Sequence, residues 1–314
     1  MHIAFFETTK EEQQYFSERL QQHTLQFIPE PLTEHNAKTY RDVDAVCVFI
    51  NSKVTKAVIA ALPKVKIITT RSTGFDHIDT AACQARSIKV CSVPDYGIYT
   101  VAEFTFTLLL ALVRNVKSIL TDNTSFQKLT STAFVGRELF GKTLGIIGTG
   151  KIGLHVATLA KGFGMHILAY DVIKNEEKAK SIGFSYVSLD HLLSHADVIS
   201  LHVPLLPSTH HLINKALLPK IKKGAILINT SRGGVVETDA LLEGLDKHIF
   251  SGVGLDVYEE EKTLQTPSAA AKIKKLVAHD RVILSPHIAY CTEEALHRIL
   301  ETTALHLETV LSPQ

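Results

Sequence analysis

Residues 143–164 read TLGIIGTGKIGLHVATLAKGFG. The apolar run 143–148 has the character of a buried strand, and it passes through Gly148-Thr149-Gly150-Lys151-Ile152-Gly153 into a stretch with helical spacing of apolar residues. Strand, tight turn and helix in that order are what a dinucleotide site needs, and each glycine has a task. Gly148 permits the turn, Gly150 lets the backbone approach a pyrophosphate, and Gly153 lets the helix lie close to the sheet. The helix start then presents free N–H groups to the anion. Alone the pattern is weak, since a Gly-rich turn can also bind nothing.

Its weight comes from the next strand, HILAYD (166–171), which ends in Asp171. A carboxylate there accepts hydrogen bonds from the adenosine ribose hydroxyls and repels a 2′-phosphate. No Arg follows closely, so the reading favours NAD over NADP. Further strands are expected at DVISLH (197–202), AILINT (225–230), FSGVGLDV (250–257) and RVILSPH (281–287), making six with the two above. Upstream, HIAFFE, LQFIP, AVCVFI, VKIITT and IKVCSV alternate with amphipathic stretches such as KEEQQYFSERLQQ, a second βα rhythm. Both series imply parallel sheets covered on both faces.

Between the two lies VAEFTFTLLLALVRNV (101–116), too continuous for a solvated helix and too short to span a bilayer. A buried helix at a domain or subunit junction is expected, with a homodimer as its use. The terminal TEEALHRILETTALHLETVL reads as an amphipathic helix that returns to the first domain. The expected organisation is a substrate domain of residues 1–98 and 289–314 and a nucleotide-binding domain of 99–288.

Composition narrows the partners. Lys plus Arg (33) and Asp plus Glu (32) nearly cancel in 314 residues, with no block of like charge, so neither nucleic acid nor a membrane surface is expected as a partner. Cys47, Cys83, Cys91 and Cys291 have neither CxxC spacing nor disulfide density, and the 16 histidines are scattered, so reduced thiols, a cytoplasmic setting and no metal site are expected.

Five motifs stand in order: GKTLGIIGTGKIG, DVISLHVPL, ILINTSRGGVV, GVGLDVYEEE and SPHIAY. In these the sequence resembles the D-isomer-specific 2-hydroxyacid dehydrogenase family, most closely its D-lactate dehydrogenase branch. The resemblance implies two doubly wound parallel-sheet domains, a Rossmann NAD-binding domain inserted in a flavodoxin-like substrate domain. It implies NAD as cofactor, a small 2-keto acid as substrate, and Arg232, Glu261 and His287 as a catalytic triad. Lys151 and Ile152 in the phosphate loop, Val203 and Pro204 beside the adenine, and Thr209, Thr230, Ser231 and Asp256 carry over as cofactor contacts, Asp256 at the nicotinamide end, the alternative for Asp256 being a strand-end acid hydrogen-bonded to its own backbone.

The chemistry wants these residue types. Reducing a 2-keto acid takes a hydride from the nicotinamide and a proton for the carbonyl oxygen, and a histidine suits the proton. A carboxylate on its far ring nitrogen fixes the tautomer and favours the imidazolium; the family pattern selects Glu261, with Glu259 and Glu260 as competitors. Arg232 offers a planar fork for the substrate carboxylate. The alternatives are a strand-end His bonded to a loop and a solvated Glu run.

In the first domain RSTGFDHID (71–79) resembles the family loop whose amides, here of Gly74 and Phe75, hold the substrate carboxylate. The alternative is a βα turn with an Asp N-cap at Asp76 or Asp79. Arg71, Tyr96 and Tyr290 complete the expected pocket, with Phe49 and Ile50 nearby; Tyr290 stands where D-lactate enzymes usually carry Phe. Pyruvate is the expected substrate. Other readings are a glycerate, phosphoglycerate or branched 2-hydroxyacid dehydrogenase of the same D-specific family, or an NAD-sensing corepressor-type binding protein.

Overall fold

The computed structural model describes residues 1–121, 134–259, 261 and 267–311. The polypeptide falls into two compact units, Met1–Tyr96 with the stretch from Cys291 onward, and Gly97–Tyr290.

In the first unit, strands β1 (His2–Phe6), β2 (Thr24–Ile28), β3 (Ala45–Val48), β4 (Ile67–Thr70) and β5 (Lys89–Ser92) form one parallel sheet in the order β2-β1-β3-β4-β5. That is the flavodoxin-like order. β3 and β4 are buried along their whole length, as sheets covered on both faces require. Helices α1 (Lys10–Arg19), α2 (Lys56–Ala61) and α3 (Thr80–Ala85) cover it. Phe5 stacks on Phe16 of α1 at 4.5 Å, and Ala304 and Leu307 of the terminal helix α11 (Glu293–Leu311) join the same core.

The second unit opens with α4 (Ile98–Val113) and α5 (Val116–Thr121). The run 101–116 is therefore not one helix: Asn115 takes a left-handed φ of 54°, which ends α4 and redirects the backbone. Thr100, Ala102, Thr105, Phe106, Leu108, Leu109 and Val113 are buried, while Tyr99, Glu103 and Thr107 are exposed. The apolar stripe of α4 lies on β10 (Ala225–Asn229) and β11 (Phe250–Leu255), where Leu108 and Leu112 would crowd a side chain at Gly254.

The second sheet also contains β6 (Thr143–Ile147), β7 (His166–Tyr170), β8 (Ser185–Tyr186), β9 (Val198–Leu201) and β12 (Val282–Leu284), in the order β12-β11-β10-β9-β6-β7-β8 and parallel throughout. This is the Rossmann order with one added strand beyond β11. Among the described residues seven strands stand where six were expected, because β8 is two residues long and carries no periodicity to read. Helices α6 (Lys151–Gly162), α7 (Glu176–Ile182), α8 (Leu189–His195), α9 (Thr238–Asp246) and α10 (Pro267–Ala278) make the crossovers. Two apolar clusters, one around Phe250 and Leu227 and one around Ile146 and Phe106, fill the two faces of the sheet. Each fully buried aliphatic side chain there contributes about 1.5–3 kcal/mol. No helix among the described residues is long and apolar enough to cross a membrane.

The sheet order decides where a ligand can sit. β6 and β9 are neighbours although their connections leave in opposite directions along the sheet, so a crevice opens beyond their carboxyl ends. Gly148 leaves β6 and His202 leaves β9 at that point.

Candidate active site

Gly148 has φ +97°, a conformation that side chains resist, and a Cβ there would run into the His202 carbonyl. Gly150 N-caps α6 and has open space where a Cβ would stand. A Cβ on Gly153 would strike the carbonyl oxygen of Gly148. The first bond of α6 runs from the Leu154 N–H to the Gly150 carbonyl, which leaves the N–H groups of Ile152 and Gly153 at the helix mouth with no intrahelical acceptor. The N-cap is a glycine, so no capping side chain competes for them. An open cradle of N–H groups at the positive end of a helix dipole fits a pyrophosphate.

Asp171 faces this loop. Its Oδ2 accepts from the Thr149 N–H (2.6 Å) and the Thr149 hydroxyl (3.0 Å), and its Oδ1 from the Ile173 N–H (3.0 Å). Burial would raise its pKa, but the hydrogen bonds from Ile173, Thr149 and Val172 outweigh it and hold the carboxyl below its ordinary value. The side chain is thus an anion whose second oxygen keeps acceptor capacity for a ribose hydroxyl.

Across the crevice, Val203 is half-buried against Gly148 and Pro204 is exposed. The Thr209 hydroxyl donates to the Pro204 carbonyl (2.5 Å) and accepts from the Leu206 N–H (2.8 Å), so it braces its own loop. His202, which sequence reading passed over, is pushed down to about 3 by burial and pairs with the Ser200 hydroxyl at 2.8 Å. It presents a neutral ring at neutral pH.

The catalytic candidates leave three adjacent strands. Asn229 of β10 is in register with Leu255 of β11, and Leu255 with Leu284 of β12, so residues 230–232, 256–259 and 285–287 emerge from one edge of the sheet. Strands lie about 4.8 Å apart, which brings side chains from all three within reach of one small molecule. The ladder continues past the strand ends: the Asp256 N–H donates to the Asn229 carbonyl (3.0 Å), and the His287 N–H to the Asp256 carbonyl (2.9 Å).

Between them, His287 Nδ1 meets Glu261 Oε1 at 3.0 Å, with both side chains about a quarter exposed (31% and 22%). His287 has φ +57°, a strained backbone that aims the ring. The other Glu261 oxygen, Oε2, is buried and without a hydrogen-bond partner among the described residues, so the carboxylate's charge is directed at the imidazole. Glu259 is committed elsewhere: it accepts from His211 Nε2 (2.5 Å) and from the Thr238 N–H (2.9 Å). Glu260 lies outside the described residues.

Arg232 is half-buried, and its Nη1 donates to the Ser231 carbonyl at 2.7 Å. Asn229 braces this turn, a role that sequence reading missed. Its Oδ1 accepts from the Ser231 N–H (3.0 Å) and hydroxyl (2.8 Å), and its amide donates to the Arg232 carbonyl (2.9 Å). A Cβ on Gly233 would collide with the Tyr258 carbonyl, so this glycine lets the Arg232 turn close on the loop that carries Glu261. Thr230 shares a 2.9 Å hydrogen bond with Thr105 of α4 and is buried.

Asp256 departs from its expected position facing the nicotinamide. It is 1% exposed, and its carboxylate accepts from the Ser285 hydroxyl (2.6 Å) and the N–H groups of Ile288 (2.9 Å) and Ala289 (2.8 Å). It fastens the loop that carries His287. A strand-end acid bonded to backbone is the alternative reading of Asp256, and the partners come from residues 285–289, about 30 positions further along the sequence.

In the first unit, the N–H groups of Gly74 and Phe75 have no acceptor among the described residues, while the Ser72 hydroxyl (2.6 Å, to the Gly74 carbonyl) and the Thr73 hydroxyl (2.9 Å, to the Val93 carbonyl) pin the loop. Asp79 N-caps α3 by accepting from the Ala82 N–H at 2.9 Å. Phe75 is exposed, Tyr96 is buried with its carbonyl held by Arg298, and Tyr290 of the second unit is half-buried.

Arg71 is a correction. Expected in the pocket, it is 1% exposed, donates to the carbonyls of Phe6 (3.0 Å) and Glu7 (2.8 Å) and to Cys47 Sγ (3.4 Å), and pairs with Glu12 at 3.2 Å. A buried guanidinium must be paired, and these partners hold Arg71 through Nη1 and Nη2, while Nε forms the ion pair with Glu12 and no hydrogen bond among the described residues. Glu12 in turn completes the capping box of α1 with Thr9. Glu7 accepts from the N–H groups of Phe49, Asn51 and Ser52, which orders the loop after β3 where Phe49 and Ile50 stand.

Comparison with known proteins gives concordant findings. The family model for the NAD-binding domain of D-isomer specific 2-hydroxyacid dehydrogenases matches residues 106–289. A D-lactate dehydrogenase of Escherichia coli is 34% identical over 320 residues, covering 99% of this sequence and 97% of that protein. A glyoxylate reductase of Thermofilum pendens is 39% identical over 287 residues, covering 90% and 82%. Among solved structures, the D-lactate dehydrogenase of Aquifex aeolicus, complexed with NAD and lactic acid, superposes with a TM-score of 0.92 at 38% identity, covering 98% and 95%.

Proposed function

The protein belongs to the D-isomer-specific 2-hydroxyacid dehydrogenase family and is an NAD-dependent oxidoreductase, and from that premise we propose that it reduces pyruvate to D-lactate. The observation that carries the reading is the contact of His287 Nδ1 with Glu261 Oε1 at the carboxyl edge of the nucleotide-binding sheet. Bound NADH supplies a hydride to the carbonyl carbon of the substrate. The protein supplies the rest. Glu261 holds the proton on Nδ1, so the proton on His287 Nε2 is the one delivered to the carbonyl oxygen as it gains charge. Arg232 grips the substrate carboxylate and polarises the adjacent carbonyl. One hydride and one proton convert the keto acid to the hydroxy acid, and a water proton restores His287.

Pyruvate is favoured because relatives named D-lactate dehydrogenase match the sequence over nearly its full length. Glyoxylate is the second reading, favoured by the reductases of that name. The test is NADH oxidation with pyruvate, hydroxypyruvate, 2-ketoisocaproate, oxaloacetate and glyoxylate, followed by chiral analysis of the product. The highest kcat/KM is expected for pyruvate with D-lactate formed; a preference for glyoxylate or a branched keto acid reassigns the substrate, and L-lactate would defeat the reading.

The cofactor half has its own prediction. Asp171→Ala is expected to raise the KM for NADH about 10-fold, the scale of a charged hydrogen bond, and to narrow the preference over NADPH. An unchanged NADH to NADPH ratio counts against Asp171 as the ribose ligand. A cytoplasmic homodimer paired through residues 101–116 belongs to the same reading.

A further inference from the structure

We infer that Tyr186 is a positioning residue for NAD: its hydroxyl sets the Gly-rich turn and the loop after Asp171 in the geometry that binds the adenosine ribose. The inference rests on the NAD-binding reading of the second unit.

Tyr186 lies on the two-residue edge strand β8, outside every sequence motif. Its oxygen accepts from the Asn175 N–H at 3.0 Å and stands 2.8 Å from Thr149 Oγ1. The direction of that contact follows from proton counting. The Thr149 hydroxyl has one hydrogen, and Asp171, an anion, can only accept it. Thr149 Oγ1 must therefore accept from the Tyr186 O–H. The relay runs one way: Asn175 N–H to Tyr186, Tyr186 O–H to Thr149, Thr149 O–H to Asp171 Oδ2. Each link uses its only available hydrogen.

The consequence is geometric. Thr149 sits between Gly148 and Gly150, so the same hydroxyl that orients Asp171 also fixes the phosphate turn. Asn175 N-caps α7 and closes the 172–175 segment, whose Val172 and Ile173 are 86% and 80% exposed beside the ribose acid. Tyr186 thus ties both walls of the ribose subsite to each other. Its ring is held independently, edge-on to Phe184 at 5.2 Å and under the Lys174 ammonium at 5.9 Å. A Phe at this position keeps those contacts and removes only the hydroxyl.

The test measures binding by nucleotide fluorescence, without any keto acid, so its result does not depend on the substrate assignment. The protein has no Trp, which keeps the background low. Tyr186→Phe is expected to raise the Kd for NADH about 5-fold, the size of one hydrogen bond. For NADH lacking the adenosine 2′-hydroxyl the rise is expected to fall below about 2-fold, because the coupled partner is gone. In an Asp171→Ala background the Tyr186→Phe effect is likewise expected to vanish. An unchanged Kd for NADH, an equal loss for both cofactors, or a full effect retained in the Asp171→Ala background would each overturn the inference. Failure of both cofactors to bind the unaltered protein would instead defeat the NAD-binding reading itself.

Discussion

His287→Gln lowers kcat about a thousand-fold, roughly 4 kcal/mol of transition-state stabilisation, while the Kd for NADH stays within a factor of about two. Gln fills the same space and can still donate a hydrogen bond to the carbonyl, so substrate binding survives. It has no proton to transfer. In the unaltered protein the Glu261 contact at 3.0 Å holds one proton on Nδ1, so Nε2 is the nitrogen that takes up and releases the mobile proton. Among the described residues nothing engages that nitrogen. The left-handed backbone at His287, and the Asp256 fastening of residues 285, 288 and 289, hold the ring in place. The loss should therefore appear in kcat and not in cofactor affinity. Stopped-flow NADH oxidation with separate fluorescence titration makes the split; turnover within about ten-fold of the starting enzyme would remove His287 from the chemistry.

Arg232→Lys is expected to lower kcat/KM about 100-fold, near 2.7 kcal/mol, although the charge is kept. The guanidinium can hold a carboxylate with two parallel hydrogen bonds and reach the neighbouring carbonyl, and an ammonium cannot do both. Its turn is prepared for this: Asn229 bridges Ser231 and the Arg232 carbonyl, and Gly233 lets the turn close on residues 258–259. Lys would also lose the 2.7 Å contact with the Ser231 carbonyl. Steady-state kinetics across the keto-acid panel reads the effect. A variant that loses activity equally towards a neutral ketone without the carboxylate would show that Arg232 serves the fold and not the substrate.

The readable part of the molecule is local. The strand–turn–helix of 143–164, the acid at the end of β7 and the strand-end placement of Arg232 and His287 follow from residues close together in sequence, where spacing fixes geometry. β8 escaped because two residues carry no period, and the break in 101–116 because a left-handed Asn leaves no mark in an apolar run.

The amino-acid sequence by itself determined two βα units, the glycine cradle and the set of residues able to pass a proton and hold a carboxylate. Tertiary structure alone decided which of the neighbouring glutamates meets the histidine. Glu259 is spent on His211 and Thr238, and Glu261 turns to His287. It also decided that Arg71 points inward to the Phe6 and Glu7 carbonyls, that Asp256 fastens a loop, and that Tyr186 reaches the phosphate turn. The physical reason is common to all four. A polar side chain's use is set by the partners that fold against it, and those partners come from elements distant in sequence, many of them backbone groups that every residue type carries alike.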